Sequence, residues 1–301
     1  MFTILRRLAI AATLATTLMS VPVLAQELTG TLKKIKDTGV ITLGHRESSI
    51  PFSYYDDKQQ VVGYSQDMML KAVDAIKAEL KLAKLDVKLV PVTSENRITL
   101  VQNGSVDLEC GSTTNTTERQ KQVSFSYSIF VVGTRLMTKT NSGIKDFPDL
   151  AGRNVVTTAG TTSERLLRKM NEDNNMKMKI ISAKDHGEAF LTLESGRAAA
   201  FVMDEMLLYG EMAKAKNAGE WAVVGTPQSY EAYGCMLRKD DPAFKKVVDG
   251  ALAKVMTSGE ADKLYAKWFL QPIPPKGLNL NFALSYALKK LYKSPNDKAY
   301  D

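Results

Sequence analysis

The sequence is poor in the residues that build metal centres and cysteine chemistry. Its 301 residues include two histidines and two cysteines, too few for a zinc cluster of their own, and no Cys/His pair sits at zinc-ligand spacing. Blocks of one charge are missing too. Lys and Arg outnumber Asp and Glu by 40 to 33, yet no five basic residues run together, and lysines are interspersed with acids through stretches such as 71–88. A surplus so dispersed reads as a solvated surface, not as a patch for nucleic acid or an anionic membrane. Past residue 25, no segment reaches the roughly 18 apolar residues that a spanning helix needs. At 44% hydrophobic and 24% charged, the composition is that of a globular chain rather than a disordered one. The length allows one large domain or two ordinary ones.

What is present begins with a leader. Arg6 and Arg7 precede a mostly apolar stretch from Leu8 to Val23, and Val23-Leu24-Ala25 sets small residues at the −3 and −1 positions before Gln26. That pattern predicts a secretory signal peptide over residues 1–25, and hence an exported, soluble mature protein. Its removal lowers the formal net charge of +7 by two. Export permits a disulfide between Cys110 and Cys235, but the sequence leaves pairing and two buried free thiols both open.

Along the mature chain, short apolar runs alternate with amphipathic ones. Strands are predicted at 40–45, 86–92 and 106–110, with helices at 65–84 and 94–104 between them. A long strand at 128–139 leads into a second series. There, strands at 154–159, 176–182, 198–204 and 221–225 alternate with helices at 161–173, 187–196 and 205–216. Thr161 and Glu164 have the spacing of a capping box for the helix at 161–173. A second long strand at 231–239 precedes helices at 242–256 and 260–269 and a polar helical tail. Strands separated by helices of this length predict βαβ units and mostly parallel sheets. Two series joined by two long strands predict two α/β lobes, one formed by residues 26–132 and 235–301, the other by 133–234. A ligand is then expected at the carboxyl ends of the strands, in the crevice between lobes.

The loops at those ends carry a pattern. Arg46-Glu47-Ser48-Ser49 follows the first strand, Thr93-Ser94-Glu95-Asn96-Arg97 the second, and Cys110-Gly111-Ser112-Thr113-Thr114 leads on to Arg119 after the third. In the second series, Gly160-Thr161-Thr162-Ser163, Lys184-Asp185-His186 and Asp204 hold the corresponding places. Three arginines meeting one buried carboxylate would build a site for an anion that also carries a cation.

With "GHRESSIPFSYYD", "SENR", "ECGSTTNTTERQ", "GTTSE", "SAKDHG", "ESGRAAAFVMD" and "YGCMLRKDDP" in this order, the chain closely resembles periplasmic glutamate/aspartate-binding proteins. These are the solute receptors of ABC-type amino-acid importers, among the family 3 solute-binding proteins. The resemblance spans about residues 29–295. It implies the type II two-lobed fold, with two crossing hinge strands and a cleft that closes on ligand. It also implies a monomer that uses no cofactor, binds no nucleic acid and works with permease subunits in the inner membrane.

Carried over by position, Arg119 would grip an α-carboxylate, helped by Thr114 and the backbone at Thr162, since a guanidinium fork suits a carboxylate. The start of the helix at 161–173 adds free N–H groups. Asp204 and Ser112 would accept the α-ammonium. Arg46, Ser94, Arg97 and His186 would hold the side-chain carboxylate of L-glutamate or L-aspartate. Thr161 is either a further ligand contact or only a helix cap. On this count two carboxylates and one ammonium face three Arg and one Asp, so a neutral amide would leave Arg46 and Arg97 buried without a counter-charge.

Other readings attach to some of these residues. Arg135, Arg153 and Arg168 read as surface charges, His45 as structural, and Asp204 alternatively as a cap for the helix that follows it. A same-fold enzyme of the dehydratase kind would need a carboxylic acid near a leaving group, for which only Glu47 and Glu95 stand close. A sensing module would need an attached membrane segment. Asn103-Gly104-Ser105 and Asn115-Thr116-Thr117 match glycosylation sequons that the implied bacterial setting makes accidental.

Overall fold

A computed structural model describes residues 28–299, so the leader predicted over 1–25 lies outside the described residues. The chain opens with helix α1 (Gly30–Thr38), strand β1 (Val40–His45), and the short strands β2 (Ser48–Ser49), β3 (Ser53–Tyr55) and β4 (Val61–Val62). Helix α2 (Tyr64–Glu79), strand β5 (Asp86–Pro91), helix α3 (Arg97–Gln102), strand β6 (Leu108–Glu109) and helix α4 (Thr117–Gln120) come next. The long strand β7 (Ser124–Lys139) leads through a 3-10 turn at Phe147–Leu150 to β8 (Asn154–Thr158), α5 (Thr162–Asp173) and β9 (Lys179–Ala183). Then follow α6 (His186–Glu194), β10 (Ala200–Asp204), α7 (Glu205–Lys214), a 3-10 turn at Ala218–Glu220 and β11 (Trp221–Val224). The second long strand β12 (Tyr230–Leu237) and helices α8 (Pro242–Thr257), α9 (Glu260–Phe269) and α10 (Tyr286–Lys293) complete it.

Nine strands form one sheet in the order β5-β1-β6-β12-β7-β10-β8-β9, with β11 on β7. β7 ties the halves together. Its residues up to Gly133 pair antiparallel with β12, and from Thr134 on they pair with β10 and β11. The element order follows the predicted alternation closely, because apolar side chains recur at the right period. In α2, for example, Met69, Val73 and Ile76 return at spacings of three and four and are all buried.

Three departures have local causes. α1 was not anticipated, since "GTLKKIKDT" offers only Leu32 and Ile35 as apolar anchors. β9 begins at Lys179 rather than 176, because Asn175 and Lys177 adopt φ of +47° and +55° and break the extended chain. α3 begins at Arg97 rather than 94. Thr93 and Asn96 instead close a turn, the Thr93 amide donating to the Asn96 side chain at 2.9 Å and the Asn96 amide to the Thr93 hydroxyl at 3.2 Å.

The core beneath the crossing strands is aromatic. Phe52 packs 4.8 Å from Phe130 of β7 and 5.0 Å from Tyr233 of β12, and Phe130 lies 5.1 Å from Phe269 of α9. Such pairs add to area burial, and here they hold the crossing strands against α9. Cys110 and Cys235 are bonded across 125 residues, joining the end of β6 to β12. Cross-linking a loop of this length reduces unfolded-chain entropy by up to roughly 5 kcal/mol. The polar tail docks beside β7. Ser128 donates its amide to the Asn296 carbonyl at 2.8 Å, and the Tyr292 and Tyr64 hydroxyls meet at 2.7 Å. Among the described residues, no helix is long and apolar enough to cross a membrane, and no group of three or more metal-ligating side chains is placed to hold an ion.

Candidate functional site

Six strand ends supply the candidate residues. β1 runs parallel to both β5 and β6, with Leu43 opposite Leu89 and Gly44 opposite Glu109. Their carboxyl ends lead into Arg46, into Ser94 and Arg97, and into Ser112, Thr114 and Arg119. In the other half, β8 runs parallel to β9 and β10, whose ends lead into Thr161 and Thr162, His186 and Asp204. All ten predicted residues are buried.

The three guanidiniums are the dominant feature. None has a carboxylate within salt-bridge distance among the described residues. Arg119 donates from Nη1 to the Thr114 carbonyl at 2.9 Å and from Nη2 to the Gly160 carbonyl at 3.1 Å, across to the other half. Arg97 donates from Nη1 to the Thr113 hydroxyl and to the Ser112 carbonyl, while its Nε and Nη1 of Arg46 have no partner in the protein. Burial, and after it the neighbouring Arg97 charge, pushes Arg46 down to about 10 and Arg119 down to about 9. Burial likewise lowers Arg97. All three remain cations at neutral pH, desolvated and crowded, which is unfavourable until an anion arrives.

Ser94 and His186 complete that side. Ser94 Oγ and His186 Nε2 are buried without a hydrogen-bond partner, and His186 Nδ1 lies 2.8 Å from the Thr158 hydroxyl. Burial, with Arg46 and Arg97 behind it, holds His186 well below the usual imidazole range, so the ring is neutral.

Asp204, at the end of β10, is the buried carboxylate of this group. Its side chain makes no cap bond to α7, which removes the capping alternative. It accepts from Thr134 at 3.0 Å, from Ser163 at 3.1 Å and from the Tyr233 hydroxyl. Burial first, then the charge of Glu231, pushes the Asp204 carboxyl up to about 7. Ser112 donates to Ser49 at 3.2 Å, and Thr114 and Thr162 meet hydroxyl to hydroxyl at 3.4 Å.

Of the two readings left open for Thr161 the structure shows the cap, and one count needs correcting. The Thr161 hydroxyl is occupied at both lone pair and proton, accepting from Glu164 N at 3.0 Å and donating to the Thr158 carbonyl at 2.7 Å, so it acts as a cap. Glu164 reaches back to the Gly160 amide at 2.9 Å, one residue short of the expected box, because Gly160 turns its N–H toward the helix start. The count of three Arg and one Asp is incomplete. Glu109 and Glu231 are buried at the same place, Glu231 accepting from Thr162 at 2.9 Å and Glu109 from Thr113 at 2.7 Å.

Tyr233, Thr134, Glu109 and Glu231 were therefore missed, and Thr113 and Ser163, present in the predicted loops, were given no role. Glu109 carried no distinguishing signal, since the run "VDLEC" holds a second acid, Asp107, that is equally buried. Tyr233 carried none either, because an aromatic in a long strand looks like any core residue. Glu47 and Glu95, the acids an enzyme reading needs, are both exposed.

Comparison with known proteins identifies the family. The sequence model for bacterial extracellular solute-binding proteins, family 3, matches residues 41–271. An L-glutamate/L-aspartate-binding protein of Pseudomonas aeruginosa is 66% identical over 283 residues, 94% of each chain. A glutamate/aspartate import solute-binding protein of Escherichia coli is 63% identical over 89% of each. Among solved structures, an ancestral arginine-binding protein bound to arginine superposes with a TM-score of 0.70 at 30% identity, covering 77% of this chain and 98% of that one. These relatives are binding and import proteins, and a family match over more than two thirds of the chain settles the membership: it belongs to the bacterial extracellular solute-binding proteins, family 3.

Proposed function

We propose that this protein is the periplasmic receptor of an ABC-type importer for L-glutamate and L-aspartate, passing its ligand to permease subunits in the inner membrane. One observation carries the reading. Arg46 Nη1, Arg97 Nε, Ser94 Oγ and His186 Nε2 are buried at the strand ends without a hydrogen-bond partner, and Asp204 is a buried carboxylate at the end of β10. A dicarboxylic α-amino acid has the two anionic groups and one cationic group that such a set would hold, and the relatives from Pseudomonas aeruginosa and Escherichia coli are named for glutamate and aspartate.

In this reading, residues 26–132 and 235–301 form one lobe and 133–234 the other, hinged where β7 changes partner. Arg119, Thr114 and the Thr162 amide take the α-carboxylate, with the α5 N-terminus adding its dipole. Asp204 and Ser112 take the ammonium. Arg46, Arg97, Ser94 and the neutral His186 take the side-chain carboxylate. The Thr158 hydroxyl donates to His186 Nδ1, which leaves Nε2–H to donate to the ligand.

Calorimetry on refolded, ligand-stripped protein tests this directly. Both acids are expected to bind and glutamine to bind far more weakly; no heat with either acid would sink the reading. In Arg97→Ala the preference for acid over glutamine should narrow about tenfold, as expected for removing one desolvated charge partner of the side-chain carboxylate. Equal losses for acid and amide would show that Arg97 does not serve the side chain.

A pH dependence follows from Asp204. With its carboxyl near 7 in the free protein, an ammonium must displace the proton that Asp204 increasingly carries as pH falls. Affinity should therefore drop by about tenfold per pH unit below 7 and level off above it. Titrations at pH 6 in buffers of different ionisation enthalpy should report net proton release, and proton uptake or no linkage would contradict this assignment.

A further inference from the structure

Glu109 has no part in the ligand reading, yet it is as fully buried as the residues that do. It is fully buried at the end of β6, where Oε2 accepts from the Thr113 hydroxyl at 2.7 Å and Oε1 has no partner. The same Thr113 hydroxyl accepts from Arg97 Nη1, so Glu109 and Arg97 are linked through a single oxygen. Gly111 lies between Glu109 and Arg46. A Cβ on Gly111 would stand 2.7 Å from Arg46 Cγ and 2.8 Å from Glu109 Oε1, so the bare α-carbon is what lets the carboxylate and the arginine stem approach each other. A buried carboxylate with one oxygen unsatisfied is unfavourable as a packing element. Here its position beside two guanidiniums offsets that cost.

We infer that Glu109 is a specificity-determining residue, a built-in counter-anion that cancels about one of the two charges of Arg46 and Arg97 and so limits how strongly the site prefers an acidic side chain over its amide. This rests on the assignment of Arg46 and Arg97 to the ligand's side-chain carboxylate. Glu109 repels that carboxylate and scarcely affects a neutral amide, because Coulomb energy needs charge at both ends. It also keeps the unliganded arginines from standing wholly uncompensated. The receptor gives up some affinity for acids and in return avoids a cleft with two bare buried cations.

Glu109→Gln keeps an oxygen to accept from Thr113 and removes the charge. Isothermal titration of the full-length mature protein with glutamate and glutamine should show glutamate affinity rising roughly tenfold and glutamine affinity changing less than threefold. The melting temperature without ligand should fall, while the rise on adding glutamate should grow. An unchanged acid-to-amide ratio, or equal losses for both ligands, would overturn the inference. Wild-type protein that binds neither acid would overturn the underlying functional reading, and this control separates the two failures. If Glu109→Gln does not fold, Thr113→Val decides. It frees the carboxylate to lean on the guanidiniums, so the acid-to-amide ratio should narrow, and an unaltered ratio would overturn the proposal.

Discussion

Arg119→Ala is expected to reduce affinity for glutamate, aspartate and glutamine together by at least about a hundredfold. The α-carboxylate is common to all three, and leaving it in a desolvated cleft without its fork-shaped partner costs roughly 3–5 kcal/mol, where 1.4 kcal/mol is tenfold in affinity. The same change removes the bond from Nη2 to the Gly160 carbonyl, which joins the two halves. Folding itself should be spared. Burial already makes this guanidinium costly to the unliganded protein, so the melting temperature without ligand should move by only a few degrees. The signature is a uniform loss, unlike the selective loss from Arg97→Ala. A substitution that left glutamine binding intact while abolishing acid binding would move Arg119 to the side-chain end of the ligand. Equilibrium titration with the three amino acids settles which pattern holds.

Gly160→Ala should have an effect of similar size with no ligand contact changed directly. Gly160 has φ of +73°, and a Cβ there would lie 2.7 Å from Glu95 Cα and 2.8 Å from Glu95 N, both main-chain atoms of the opposite half. Backbone cannot yield as a side-chain tip does, so the halves cannot meet as they do here. The bonds from Arg119 to Gly160 and between Thr114 and Thr162 would lengthen with them. Losing a charge-assisted bond and a neutral one amounts to about 3 kcal/mol, or about a hundredfold in affinity.

Gly152→Ala is the control. It has φ of +72° and nothing within 4 Å of its Cβ position, so it carries the same left-handed strain, about 1–2 kcal/mol, without the clash. Gly152→Ala should lower stability and leave affinity nearly unchanged, whereas Gly160→Ala should lower both. Equal affinities for the two variants would mean that binding does not need the halves in this arrangement. Small-angle scattering with and without glutamate would show whether Gly160→Ala fails to compact.

Much of the site could be read from the chain because the fold places function at strand ends. Once β1, β5, β6, β8, β9 and β10 are recognised by their apolar runs, the polar residues that follow each run are the candidates. All ten proved to be buried. What distinguished a ligand contact from a local contact was harder. Thr161 and Thr162 are neighbours of the same type, yet the first caps α5 and the second turns to Glu231. Neither its composition nor its spacing separates them.

Glu109, Glu231 and Tyr233 were missed for a more general reason. Each belongs to a strand, where alternate residues face opposite sides and an acid or a tyrosine can go either way. Only pairing decides which. Gly44 opposite Glu109, and Tyr233 opposite Phe130, turn these side chains toward the interior.

The sequence by itself determined most of the order of strands and helices, the position of the polar loops at the strand ends and the three arginines within them. These depend on local periodicity and on residue type, which the chain displays directly. Tertiary structure decided the electrostatic balance of the cleft. Whether a buried guanidinium meets a ligand, a carbonyl or an internal carboxylate depends on groups brought together from strands far apart in the chain, and a charge's cost is set by what surrounds it in space. For that reason Glu109, 63 residues from Arg46 along the chain and next to it across Gly111, could be recognised as part of this site only after the chain had folded.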